Sequence, residues 1–129
     1  IDNHRMKYVH AGVESIPFPD GHFHIVTSFN NLDHVDDIDK AIAEIKRVTT
    51  IGGTLLLITE VEHEPSATEP QSLPRSVANW FEPEFDIVSQ GICAIRDDHD
   101  VYQSLRDNAS FESGNEGIVY ARFVRKKPA

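Results

Sequence analysis

The stretch Thr54 to Glu60, TLLLITE, constrains the fold more than any other part of the chain. A strand with one wet face alternates apolar and polar residues; this near-continuous apolar run reads as a strand buried on both faces. Just before it, from about Asp37 to Thr50, Ile38, Ala41, Ile42, Ile45 and Val48 recur at steps of three and four. That spacing places them on one face of a helix. Asp36 or Asp37 can cap its start, and Gly52-Gly53 offers the positive φ that ends a helix. Upstream, Phe23 to Ser28 (FHIVTS) follows the turn-like Pro19-Asp20-Gly21 and reads as another strand. Strand, helix, strand in this order predicts a parallel pair with a right-handed crossover, and so an α/β fold.

The remainder is less regular. Met6 to His10 is a short strand candidate. Glu62 to Pro74 is polar, carries Pro65, Pro70 and Pro74, and reads as a loop over the sheet edge. A short helix is expected over Arg75 to Phe81, stopped by Pro83, with Trp80 and Phe81 packing it on the sheet. Phe85 to Ser89 and Ile92 to Arg96 are strand candidates. Gly117 to Arg125 is a clearer one, with Val119, Ala121 and Phe123 alternating against Tyr120, Arg122 and Val124.

At 129 residues the chain fits one domain, and no apolar run reaches the length of a membrane span. A net charge of −9, without a clustered basic face, argues against nucleic acid as a partner. Cys93 stands alone, which excludes an internal disulfide and fits a reducing cytoplasm; its apolar setting, Ile92 to Ile95, places it in the core rather than at a nucleophilic site. The chain opens on Ile1 rather than Met, as expected of a fragment, a processed product or an incomplete reading frame.

An ordered series of short motifs then points to a family. It runs Glu14-Ser15-Ile16-Pro17-Phe18-Pro19-Asp20-Gly21, Phe23-His24-Ile25-Val26, Asn31-Leu32-Asp33-His34-Val35, Arg47-Val48 and Gly52-Gly53, leading into Thr54-Leu55-Leu56-Leu57. This series resembles the S-adenosylmethionine-dependent methyltransferases that act on small molecules, strongly from Tyr8 to Glu60 and by general layout beyond. The resemblance implies a partial Rossmann-like methyltransferase sheet with flanking helices, S-adenosylmethionine as cofactor and a small-molecule methyl acceptor. It places Gly12, Val13 and Glu14 on the adenine side of the cofactor, and Phe29, Asn30 and His34 on the reacting side. Glu14 also reads as a turn cap, and His34 as a hydrogen-bonding partner of nearby backbone. In such a family the segment Glu60, Glu62, His63 and Glu64 approaches the substrate, so His34 and His63, with Glu62, are the candidate catalytic bases.

The chain also departs from the family pattern. Gly12 stands where many members carry an acid for the adenine amino group, His24 replaces the usual Asp after Phe, and Thr50-Ile51 replaces Lys-Pro. Nothing before Tyr8 supplies the first strand with its glycine-rich loop, or the second strand with its ribose-binding acid. Central strands with open edges then invite pairing with another chain, so a homodimer or a rearranged sheet is expected. Two functions follow from the resemblance: methyl transfer to a small molecule, or a catalytically inactive remnant acting as a binding and self-association module. His22 and His24 would share a strand face, but no third residue joins them at metal-ligand spacing, so no metal is expected.

Overall fold

A computed structural model describes residues 6–112 and 114–128. The chain runs β1 (Phe23–Phe29), a 3-10 turn (Leu32–His34), α1 (Ile38–Val48), β2 (Thr49–Val61), a second 3-10 turn (Val77–Phe81), β3 (Phe85–Ala94), α2 (Val101–Asp107) and β4 (Gly117–Arg125). The four strands form one sheet in the order β1-β2-β4-β3. β1 lies parallel to β2, while β4 runs antiparallel to both β2 and β3. The expected α/β class holds, and so does the strand–helix–strand unit at its centre.

Helix α1 forms where the apolar spacing required it. Asp37 accepts a hydrogen bond from the Lys40 amide at 3.1 Å, and Ala41, Ile42, Ile45 and Val48 are buried. The helix ends earlier than expected: Thr49 is already extended, its hydroxyl donating to the Ile45 carbonyl at 2.7 Å. Gly52 and Gly53 therefore lie inside β2 and cap nothing. Between Phe23–Thr49 and Ile25–Thr54 the β1–β2 register slips, and Gly52 takes φ 81° in that irregularity. A Cβ on Gly53 would stand 2.8 Å from the Thr50 carbonyl and 3.0 Å from that of His24, so the two backbones meet at a residue without a side chain.

One face of the sheet carries the main core. Leu55, Leu57 and Val61 of β2, with Val119, Ala121 and Phe123 of β4, are buried with α1 and the Val77–Phe81 turn. Phe81, Phe85 and Phe123 pack edge-to-face or tilted with ring centroids 5.0 to 6.3 Å apart, each contributing about 1.5–3 kcal/mol through burial. On the opposite face, Cys93, Val101 and Ile118 pack with Ile58, Leu105 and Tyr120 under α2. Because α2 has only two turns, Leu56 and Ile58 stay half-buried, so TLLLITE is fully covered on one face alone.

Several sequence expectations change. Met6 to His10 forms no strand; Met6, Tyr8 and Val9 are exposed. The two candidates at 85–89 and 92–96 are one strand, β3. The expected helix over 75–81 is the shorter 3-10 turn, which buries Phe81 and leaves Trp80 38% exposed. Helix α2 had no counterpart in the sequence reading, although Asp100 caps it and Asn108 closes it in the left-handed region. No helix among the described residues is long and apolar enough to cross a membrane.

Candidate functional site

Parallel strands end together, so the residues after Phe29 and after Val61 emerge at one edge of the sheet. Gly117, which opens β4, pairs with both Val61 and Ala94, bringing the end of β3 to the same edge. Ligands in open parallel sheets bind at such carboxyl ends. Asn30, at φ 56°, donates its amide to the Ile58 carbonyl at 2.7 Å and turns the chain into the Leu32–His34 turn. That turn drives Leu32 into the core and carries Asp33 with it; both are fully buried.

Across from it, Glu62 at φ 62° redirects the chain out of β2, its amide donating to the Leu73 carbonyl at 2.8 Å. The 62–74 loop folds back onto the Asp33–Asp36 segment. The Gln71 amide donates to the Asp33 carbonyl at 3.2 Å, and the Gln71 side chain donates to the carbonyls of Val35 and Asp36, both at 3.1 Å. Ser72 Oγ donates to the His63 carbonyl at 2.6 Å. These bonds hold His63 and Glu69 against Asp33.

The resulting cluster is compact. Asp33 Oδ2 lies 3.2 Å from His63 Nε2, and Asp33 Oδ1 lies 3.5 Å from His34 Nε2. Glu69 Oε2 lies 3.6 Å from the same His34 nitrogen. One donor atom each from Asp33, His63 and Glu69 falls within 4.8 Å of the other two. Glu60 is buried next to them, 3.6 Å from His99 Nδ1, and His99 Nε2 reaches Glu116 at 3.9 Å. The Nδ1 atoms of His63 and His34 face backbone carbonyls: His63 that of Glu64 at 2.9 Å, His34 that of Thr68 at 3.0 Å. A carbonyl only accepts, so each Nδ1 carries a proton and each ring turns its Nε2 toward the carboxylates. Asp33 keeps both oxygens, and His63 its Nε2, without an aligned hydrogen bond.

The charges follow from this placement. Burial pushes the Asp33 carboxyl up, and the nearby Glu69 carboxylate pushes it further. Glu60 is raised by burial and then by the charge of Asp33. Glu69 is held below the usual carboxylate range, chiefly by the Asp33 carboxyl. Burial opposes a charged His63, yet the Glu64 carbonyl and the carboxylates of Asp33, Glu69 and Glu60 outweigh it and raise its pKa. The cluster is thus an acidic pocket that favours positive charge.

Of the residues singled out in the sequence, Phe29, Asn30, His34 and His63 meet at this edge. Phe29 is 41% exposed, and Asn30 Oδ1 is buried without a partner. Gly12, Val13 and Glu14 form a turn closed by the Ser15 amide on the Gly12 carbonyl at 3.1 Å; Val13 leans on the core, and Glu14 accepts from the Asp36 amide at 3.3 Å. His34 places its Nδ1 on the Thr68 carbonyl, the backbone contact expected of it, and its Nε2 faces the cluster. Glu62 turns away at the end of β2, where its carboxylate accepts from the Arg75 amide at 3.1 Å. His22 stacks on Phe18 with centroids 5.1 Å apart, and the group suited to a metal among the described residues lies elsewhere, at Asp33, His63 and Glu69. Asp33 and Glu69 escaped the sequence reading. Asp33 lies within the Asn31–Val35 motif between apolar Leu32 and Val35, a signal of a buried charge; Glu69, in a proline-rich loop, gave none.

A family model described as a methyltransferase domain matches residues 1–57. The ubiquinone/menaquinone biosynthesis C-methyltransferase of Psychromonas ingrahamii is 32% identical over 111 residues, covering 86% of this chain and 41% of its own length. The chain spans about half or less of the length of the curated relatives it matches. Among solved structures, the [4+2]-cyclase SpnF superposes with a TM-score of 0.69 at 16% identity, over 98% of this chain and 59% of that one. The geranyl diphosphate C-methyltransferase of Streptomyces coelicolor, solved with Mg2+, geranyl diphosphate and S-adenosyl-L-homocysteine, superposes with a TM-score of 0.61 at 17% identity, over 89% of this chain and 50% of that one. These structures share the fold. None of the matches supports a remnant without catalysis.

Proposed function

We propose, because the chain belongs to the S-adenosylmethionine-dependent methyltransferase family, that it moves a methyl group from S-adenosylmethionine to a carbon of a small acceptor. The observation that carries this reading is the meeting of Phe29, Asn30 and the Asp33–His34–His63 cluster at the shared carboxyl end of two parallel strands. We assign the adenine side of the cofactor to Gly12, Val13 and Glu14, and the methionine side to Phe29, Asn30 and His34. A quinol-like aromatic ring is the acceptor that the C-methyltransferase relatives favour.

The chemistry asks little of the protein beyond placement. The acceptor carbon attacks the sulfonium methyl in line, a carbon–carbon bond forms, and the sulfur–methyl bond breaks to release S-adenosylhomocysteine. Holding the two partners in line supplies most of the acceleration. The carbon then sheds its proton, a step for which the histidines beyond β1 and β2 are our candidates. His34 and His63 are the side chains we assign to the acceptor side. The lone buried Cys93 fits a cytoplasmic setting, and the open edge of β1 fits a homodimer.

Two measurements test this function. Calorimetric titration with S-adenosylhomocysteine is expected to register binding to the chain, and methyl label from S-adenosylmethionine is expected on a ring carbon of a quinol. Absence of heat at millimolar ligand overturns cofactor binding. Binding without label on carbon overturns the C-methyl assignment.

A further inference from the structure

We infer that Asp33, His63 and Glu69 form a three-residue site for a divalent first-row transition cation, whose remaining positions open toward solvent. Such a site goes beyond methyl transfer and does not depend on it. Its foundation is a buried carboxylate that no described lysine or arginine answers: Asp33 is fully buried, and neither of its side-chain oxygens has an aligned hydrogen bond. A buried carboxylate left in this way is costly unless a cation neutralises it. Among the described residues, no lysine or arginine pairs with Asp33, Glu60 or Glu69; the ion pairs they make are with His34, His63 and His99.

The His63 imidazole is prepared as a ligand. With its Nδ1 on the Glu64 carbonyl, the ring presents Nε2 to Asp33. A carbonyl behind the ring is the support that metal-binding histidines use to fix tautomer and orientation. The spacing also fits. Ligand atoms about 2.1 Å from a four-coordinate ion sit about 3.4 Å from one another. Asp33 Oδ2 and His63 Nε2 stand 3.2 Å apart, and one donor atom each from Asp33, His63 and Glu69 lies within 4.8 Å of the other two. Mixed imidazole and carboxylate donors suit zinc, iron or manganese better than the all-oxygen shells of magnesium and calcium.

Placement is firm at two of the ligands. Asp33 sits in a turn anchored by Leu32 in the core, and His63 follows β2 with its carbonyl held by Ser72. Glu69 rides on the loop pinned by Gln71, and its side chain and that of His34 are partly exposed, which leaves a path for an ion and for an oxygen of the acceptor.

The test uses the chelator-stripped chain, without methyl donor, titrated with zinc chloride in a calorimeter and with cobalt chloride while the visible spectrum is followed. The expected result is one ion per chain, with the visible cobalt band of nitrogen and oxygen ligation, and a higher melting temperature with metal. Asp33→Asn and His63→Gln are each expected to weaken binding at least tenfold, and Asp33→Asn to abolish the metal-induced rise in melting temperature. Glu69→Gln, at a partly exposed position, is expected to weaken binding without disturbing the core. His24→Gln, on exposed β1, is expected to bind like the parent chain. No saturable binding up to millimolar metal overturns the site. So does parent-like binding by the folded Asp33→Asn and His63→Gln variants, or a loss of binding in His24→Gln.

Discussion

Two polar clusters sit at opposite ends of this small sheet, and they are built differently. Around Arg47, near the start of β1, every charge is answered. The guanidinium donates to the carbonyls of Phe18 and Ile16, both at 2.8 Å, to Asp20 at 2.9 Å and to Glu44. Glu44 in turn accepts from the Ile16 amide at 3.1 Å. Around Asp33, at the carboxyl ends of β1 and β2, a fully buried carboxylate faces two imidazole Nε2 atoms and a second carboxylate without an aligned bond. The first cluster staples the 14–20 loop to α1 and needs nothing from outside. The second stays unfinished until something positive or hydrogen-bonding enters. Structural polar networks tend to be fully satisfied, whereas open ones mark binding and chemistry.

Breaking the closed cluster should have the largest effect on stability. Arg47→Met keeps much of the side-chain bulk but removes every one of these donated bonds, leaving the Phe18 carbonyl without this donor and the Ile16 carbonyl with the Phe18 amide alone. Its melting temperature should fall further than that of Asp33→Asn, Glu44→Gln or Ile25→Lys, with earlier proteolysis between residues 14 and 20. If Arg47→Met melts like the parent chain, the cluster is decoration and the contrast fails. The open cluster should respond in the reverse direction. Asp33→Asn removes a buried carboxylate whose oxygens have no aligned hydrogen bond, so in the metal-free chain it should raise stability by about 1–3 kcal/mol in urea unfolding while suppressing methyl transfer. A destabilised Asp33→Asn would show that the parent carboxylate is already compensated.

The two clusters were also unequally legible. Arg47, Glu44 and the 14–20 segment all lay within or beside the motif series, and helix periodicity alone put Glu44 and Arg47 one turn apart. β1, α1, β2 and β4 were readable because each repeats its apolar pattern long enough to fix a period. Helix α2 was not: Val101 and Leu105 supply a single four-residue step, too few for a period, and only its caps, Asp100 and Asn108, were in view. Met6 to His10 failed for a different reason. A strand pattern needs neighbours to become a strand, and sequence locality does not report them. The site was half legible. Phe29, Asn30, His34 and His63 came from ordered motifs and the segment after β2, but Glu69 reaches Asp33 through a non-local fold of the 62–74 loop, pinned by Gln71 and Ser72. No local pattern encodes that.

A smaller effect sharpens the closed cluster by pH. The hydrogen bond from Arg47 holds Glu44 below the ordinary carboxylate range, followed by the opposing cost of its partial burial and the help of the Ile16 amide. A folded-state pKa below the unfolded one contributes stability above the unfolded pKa. That stability is lost as the pH falls through the depressed folded value. The parent chain should therefore lose stability in acid more steeply than Glu44→Gln. At neutral pH the substitution should cost under about 1 kcal/mol, as for partly exposed ion pairs. Urea midpoints measured from about pH 7 down to about pH 3 decide this: parallel curves for the two chains would remove Glu44 from the cluster's energetics.

The smallest expected effect on stability, and the clearest on association, concerns β1 itself, which joins the two clusters. On its far side from β2 no described strand pairs with it, and Ile25 is 67% exposed in the middle of that edge. Edge strands of this kind pair with other chains unless a charge blocks them. Ile25→Lys places such a charge at the edge without touching the core, Arg47 or Asp33. Its melting temperature should stay close to that of the parent, as surface substitutions usually do. Its sedimentation should shift from dimer to monomer at concentrations where the parent remains associated. A parent chain that sediments as a monomer would leave both clusters to act within one chain. A dimer that survives Ile25→Lys would move the interface off β1.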